Sequence, residues 1–158
     1  MRRRTPRPTA RTEMASAAQL YTTDILGLAV ALADFPLGGG EWDRRGEARA
    51  AVCGSTVALG LDRAPDGGIE RLGLRVQACA IGQAAAAIFA QDARSKDIAS
   101  ILSAHTAIAD WLAGEGALPG WPGFGHLRPA RAYPARHGAI MLPWKAALRA
   151  LSPDGEAG

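Results

Sequence analysis

The chain has 158 residues, 48% of them apolar and 21% charged, which fits one compact domain with its own core and excludes a disordered or fibrous chain. Its two cysteines are too few for a disulfide framework, and no stretch reaches the roughly 20 apolar residues that span a bilayer. The net charge of +3 sits at the start: Arg2, Arg3, Arg4, Arg7 and Arg11 against Glu13 place +4 in the first 13 residues, leaving 13 basic against 14 acidic residues, or −1, in the rest.

Residues 1–15 are expected to form a basic disordered tail, or not to be translated at all, because Met14 opens directly on the first amphipathic segment. Such a tail could touch nucleic acid, which ranks last among the partners considered; no membrane partner is expected. No apolar signal core follows Met1-Arg2-Arg3-Arg4, so a cytoplasmic location with free thiols is expected. One domain should occupy 16–151, followed by a short disordered tail, 152–158.

Taken in order, 19–34 reads as a helix, with Leu20, Ile25, Leu26, Leu28, Val30 and Leu32 toward a core, ended by Pro36-Leu37-Gly38-Gly39-Gly40. A polar linker is expected over 41–49. The stretch 56–62 alternates, placing Val57, Leu59 and Leu61 on one face of a half-buried strand. Ala64-Pro65-Asp66-Gly67-Gly68 supplies a turn, and a second alternating run has Leu72, Leu74 and Val76 inward, with Arg71, Arg75 and Gln77 outward. The two runs predict an antiparallel hairpin.

At Cys79 the period changes to that of a helix over 80–91, with Ile81, Ala84, Ala85, Ile88 and Phe89 on one face. Ser95 is the expected N-cap of a helix over 96–103, and a further helix over 105–113 should bury Ile108, Trp111 and Leu112. A glycine-proline loop over 116–129 carries Trp121 and Phe124, expected to pack down as a lid or to dock a partner. The last helix is expected over 139–151, with Pro143 in its first turn. The fold class is α+β: a small antiparallel β-sheet packed against several α-helices.

The residues able to do chemistry are Cys53 and Cys79. Cys79 ends a strand and opens a helix, whose free N–H groups favour the thiolate, the form that binds metal. Cys53 precedes the first strand of the hairpin. Antiparallel pairing sets the start of one strand beside the end of its neighbour, so both cysteines belong to one end of the sheet. For each cysteine alone the plainer reading is a small buried apolar side chain. His105 and His126 read as structural, and Arg128, Arg131 and Arg136 as a solvated face. No Ser-His-Asp set, phosphate loop or paired-carboxylate motif is present, so the chain is not expected to be an enzyme.

Three segments, Val52-Cys53-Gly54-Ser55, Gln77-Ala78-Cys79-Ala80-Ile81-Gly82 and the run from Tyr133 to Lys145, resemble in that order the three metal-ligand segments of the NifU-like family of iron-sulfur cluster assembly scaffolds. The resemblance covers 19–151 and is most specific at Cys53-Gly54, at the Cys79 helix start, and at Pro134-Ala135-Arg136 with Trp144-Lys145-Ala146. Two positions depart from the family pattern. Ser55 stands where the family has aspartate, and Ala139 where it has a third cysteine.

The resemblance implies a scaffold that holds iron or a [2Fe-2S] cluster, weakly or transiently, through Cys53 and Cys79, with zinc as an alternative metal. His137, two positions before Ala139 and one position off the register of a ligating histidine in the family, is the candidate that would complete the set. The implied partners are a cysteine desulfurase and iron-sulfur acceptor proteins, and a homodimer would bring four thiols together. Two competing readings remain open: a metal-free adaptor or regulator of the assembly machinery, and a zinc-linked sulfur-transfer protein carrying a persulfide on Cys79 or Cys53.

Overall fold

A computed structural model describes residues 20–152. The expected tails at 1–15 and 152–158 fall outside these residues, except for Ser152.

Three strands form one antiparallel sheet in the order β1-β2-β3: β1 (Arg44–Arg49), β2 (Thr56–Arg63) and β3 (Ile69–Gln77). Among the described residues four α-helices accompany it: α1 (Thr23–Ala31), α2 (Ala80–Asp92), α3 (Ile98–Leu112) and α4 (Pro134–Leu151). The α+β class expected from the sequence is the one observed. No helix among the described residues is long and apolar enough to cross a membrane.

The hairpin of β2 and β3 has the expected facing, with Val57, Leu59, Leu61, Leu72 and Leu74 buried. Removing each such side chain from water is worth about 1.5–3 kcal/mol. β1 corrects the linker expected over 41–49. Its inward positions are Gly46 and Ala48, too small to give an apolar alternation, because α4 crosses β1 so closely that a Cβ on Gly46 would overlap the Ala146 backbone. On the opposite face Trp42 lies flat across Gly60 and Gly73, where any side chain would collide with it or with the Pro36 backbone. Its indole N–H donates to the Leu37 carbonyl (3.1 Å), and Arg71 stacks on its ring at 4.2 Å.

α2 is buried on more than the one face expected: among Ile81–Ala90 only Gln83 is partly exposed. Its alanines let α1, α4 and β3 approach it from different sides. In α1, by contrast, Leu26 and Val30 are 49% and 75% exposed, and Ile25 supplies the fully buried contact. The two helices expected over 96–113 are one, because nothing between Ser103 and His105 interrupts the backbone. Ser95 is not its cap. Ser95 lies at φ +70°, and residues 95–96 pair with Ile69 beside β3. Asp97 caps α3 instead, accepting from the Ser100 N–H at 2.9 Å.

α4 starts at Pro134, not near Ala139, so Pro143 lies mid-helix and leaves the Ala139 carbonyl without its amide donor. Proline is tolerated there because α4 is held by β1, β2, α2 and α3. The glycine-proline loop packs inward and winds into a 3₁₀ helix, Phe124–Ala132. Trp121 stacks on Phe89 (centroids 5.6 Å), and both meet Trp144 edge-on at 5.4 Å. The lid reading of this loop is therefore the correct one.

Candidate metal-binding end of the sheet

Thr56 and Gln77 form the last paired rung of the hairpin. Three residues before Thr56, Cys53 sits in a tight turn closed by Gly54 N–H to Ala50 O (2.9 Å) and Ala50 N–H to Ser55 O (2.9 Å). Gly54 takes φ +71° there, a conformation that costs glycine little. Two residues after Gln77, Cys79 is the N-cap of α2, with an extended backbone (φ −65°, ψ 172°) and a carbonyl that accepts from Gln83 N–H at 3.0 Å. The Gln83 side chain donates to the Ala78 carbonyl (3.0 Å), pinning the strand-to-helix junction. Cys53 is exposed, Cys79 half-buried, and both are free thiols.

The second turn of α4 is wedged between these two segments. A Cβ on Gly82 would lie 2.6 Å from the Ala78 methyl and 3.3 Å from that of Ala139, and one on Gly138 would lie 3.1 Å from the Ala50 methyl. The three segments singled out in the sequence therefore converge at one end of the sheet. Ala139, only 1% exposed, fills the third position with a methyl group.

Cys53 Sγ lies 3.0 Å from Ser55 Oγ. In the thiolate form the hydroxyl donates to the sulfur. This bond, then the Ser55 backbone N–H and the positive charge of Arg136, hold the Cys53 thiol below its usual range despite slight desolvation. Ser55 is itself buried and so held in place.

No protein-family model and no curated protein matches the chain. Solved structures do. A NifU-like protein (N-terminal region) from Brucella abortus, described as nitrogen-fixing, superimposes with a TM-score of 0.74 at 26% identity, covering 86% of this chain and 94% of that one. The fold is that of the NifU-like proteins, which the chain resembles. A protein from the thermophile Fervidobacterium islandicum, assigned as an iron-sulfur cluster assembly scaffold for the SUF system, shares the fold with a TM-score of 0.73 at 21% identity, over 84% of this chain and 97% of that one.

The other expected site residues divide clearly. The His137 Nε2–H donates to the Arg131 carbonyl at 2.8 Å, so the neutral ring keeps its lone pair on Nδ1, the arrangement usual for a ligating histidine. Among the described residues, however, no three His, Cys, Asp or Glu side chains come together as a group able to hold a metal. The structure thus gathers the three segments without assembling Cys53, Cys79 and His137 into one donor set.

Arg131 is structural: its Nε donates to the Trp111 carbonyl (2.7 Å) and its guanidinium lies over the Trp111 ring. His126 is exposed, 3.7 Å from Asp24, and His105 has its Nε2 buried without a partner among the described residues. Burial, then Lys145, keep the pKa of His105 below the ordinary histidine value. Sequence reasoning weighed Ser55 only as a ligand and missed its hydrogen bond to Cys53. The residue type was the only signal, since a serine in a turn commonly finds a hydrogen-bond partner close by in the chain.

Proposed function

We propose that this chain is a scaffold-like protein of iron-sulfur cluster assembly, taking iron or a [2Fe-2S] unit as transient cargo on Cys53 and Cys79 and releasing it to acceptor proteins. The carrying observation is the convergence of the Cys53 turn and the Cys79 helix start at the Thr56–Gln77 end of a NifU-like fold. Metal binding displaces the thiol proton, so a site that already favours the Cys53 thiolate binds with less competition from protons at neutral pH. With a serine hydroxyl and a methyl group at the two remaining family positions, the donor set is short of the four that zinc or a cluster iron requires, and binding should be weak. His137 Nδ1, a small thiol, a partner or a second copy of the chain would complete it, and sulfur would come from a cysteine desulfurase. Catalysis forms no part of the proposal.

A second reading is favoured by the buried methyl of Ala139 and by the lack of a three-donor group among the described residues: a metal-free adaptor that keeps the scaffold's shape. Iron, zinc and acid-labile sulfide measured on protein purified without oxygen, beside a Cys53→Ser, Cys79→Ser variant, separate the two. Iron with matching sulfide that disappears in the variant supports the scaffold. Zinc without sulfide supports sulfur transfer. No metal in either protein after reconstitution rejects the scaffold and leaves the adaptor.

A further inference from the structure

The face of the sheet turned away from α4 carries a groove of about 450 Å³ at the cysteine end. Its two cross-strand rows are Arg49, Thr56, Gln77 and Glu47, Ala58, Arg75; directly opposed residues, and those two apart along a strand, share a face. Arg149 reaches in from α4, donating to the Glu47 backbone carbonyl at 2.5 Å, which fixes its guanidinium along the groove wall. Three guanidiniums thus face a single carboxylate, that of Glu47, over a low floor of Thr56 and Ala58.

The two ends of this sheet are treated differently. At the far end arginines are neutralised: Arg63 pairs with Asp43 and Arg71 with Asp62, each at 2.8 Å. At the cysteine end Arg49 and Arg75 are exposed, and their side chains make no ion pair or hydrogen bond among the described residues. Unpaired guanidiniums are preorganised forks for carboxylates. No aromatic side chain lines the groove to stack a base, and the Glu47 carboxylate interrupts what a continuous phosphate backbone would need. The chemistry suits separate carboxylates on a peptide.

We propose that this groove docks an acidic, extended segment of a partner protein, seated across Arg49, Arg75 and Arg149 so that the partner's adjoining surface reaches Cys53 and Cys79. The groove opens at the Thr56–Gln77 rung, the last before the two cysteines, so a bound segment is delivered to them. The surface is independent of whether the cysteines carry metal.

Fluorescence anisotropy of a fluorescein-labelled glutamate-rich peptide on the full chain tests this, with its glutamine counterpart and labelled oligodeoxythymidylate as comparisons. The glutamate peptide should bind, the glutamine peptide should not, and Arg49→Gln with Arg75→Gln should weaken binding about tenfold, as loss of two exposed charge pairs allows. Glu47→Gln, which leaves the backbone carbonyl used by Arg149 in place, should tighten binding and serves if the double variant does not fold. Replacing Arg2, Arg3, Arg4, Arg7 and Arg11 by glutamine should leave most of the binding intact. Absence of binding, equal binding by parent and folded double variant, no tightening in Glu47→Gln, loss of binding on replacing only the first five arginines, or tighter binding of oligodeoxythymidylate through Arg49 and Arg75 would each overturn the proposal.

Discussion

Gly82→Ala tests the close packing at the start of α2, because the same substitution elsewhere in the molecule should act with opposite sign. A glycine inside a helix costs about 0.5–1 kcal/mol relative to alanine. At Gly27 in α1 no atom lies within 4 Å of the added methyl, so Gly27→Ala should stabilise the protein by about that amount. At Gly82 the new Cβ would stand 2.6 Å from the Ala78 methyl, a backbone-anchored atom that cannot swing aside, and 3.3 Å from that of Ala139. Forcing a methyl into such a contact costs about 1–3 kcal/mol, which offsets or exceeds the helix gain. The two variants should therefore differ by about 1–3 kcal/mol, a separation on the order of 5–10 °C in melting temperature for a domain of this size. Thermal unfolding followed by circular dichroism would measure it. Equal stabilisation by both substitutions would mean that Gly82 is not packed tightly against Ala78 and Ala139, and the close packing at the start of α2 would be wrong.

Ser55→Ala removes the donor that favours the Cys53 thiolate, so the pKa of Cys53 should rise; since alkylation follows the thiolate, its rate-against-pH curve should move to higher pH, with slower iodoacetamide labelling of Cys53 at neutral pH. The sign follows from the acid itself: the lowered pKa keeps the thiolate at pH values where an ordinary thiol is protonated, and the variant loses that window. Ala139→Cys restores a third thiolate beside the start of α2 and should raise the iron or zinc retained after anaerobic gel filtration, measured by elemental analysis, at a stability cost of about 1–3 kcal/mol for a larger atom in a buried site. Trp144→Ala empties the centre of the aromatic cluster of Phe89, Trp121 and Phe124, and urea unfolding should show a loss of about 3–5 kcal/mol.

What the sequence made legible follows from where side chains carry the fold. β2 and β3 are readable because large apolar residues alternate with small ones, Val57, Leu59 and Leu61 with Ala58 and Gly60, and Leu72 and Leu74 with Gly73. β1 was not readable, since Gly46 and Ala48 yield to the α4 backbone and leave no apolar period. Ser95 reads as a helix cap because the residue type serves both caps and turns; only the pairing of residues 95–96 with Ile69 decides between them. Pro143 misplaced the start of α4, because tertiary packing overrides a local preference worth about 3 kcal/mol. At the site, strand pairing alone brings Cys53 and Cys79 to one end of the sheet. The position of Ser55 against the sulfur depends on turn geometry, and that of His137 on the path of α4, neither of which a one-dimensional pattern encodes.

The β3 edge of the three-stranded sheet is paired from within the chain, and the β1 edge is engaged at one carbonyl. Along β3, Ile69 exchanges hydrogen bonds with residues 95–96, and Leu74 does so with Phe35 and Leu37. Along β1, Arg149 occupies the Glu47 carbonyl. A margin engaged like that of β3 resists recruiting a strand from another molecule, a route to aggregation. A protein with an exposed thiol and unpaired arginines at one end of its sheet is thereby steered toward contacts made by side chains, which form and release without rearranging any backbone ladder.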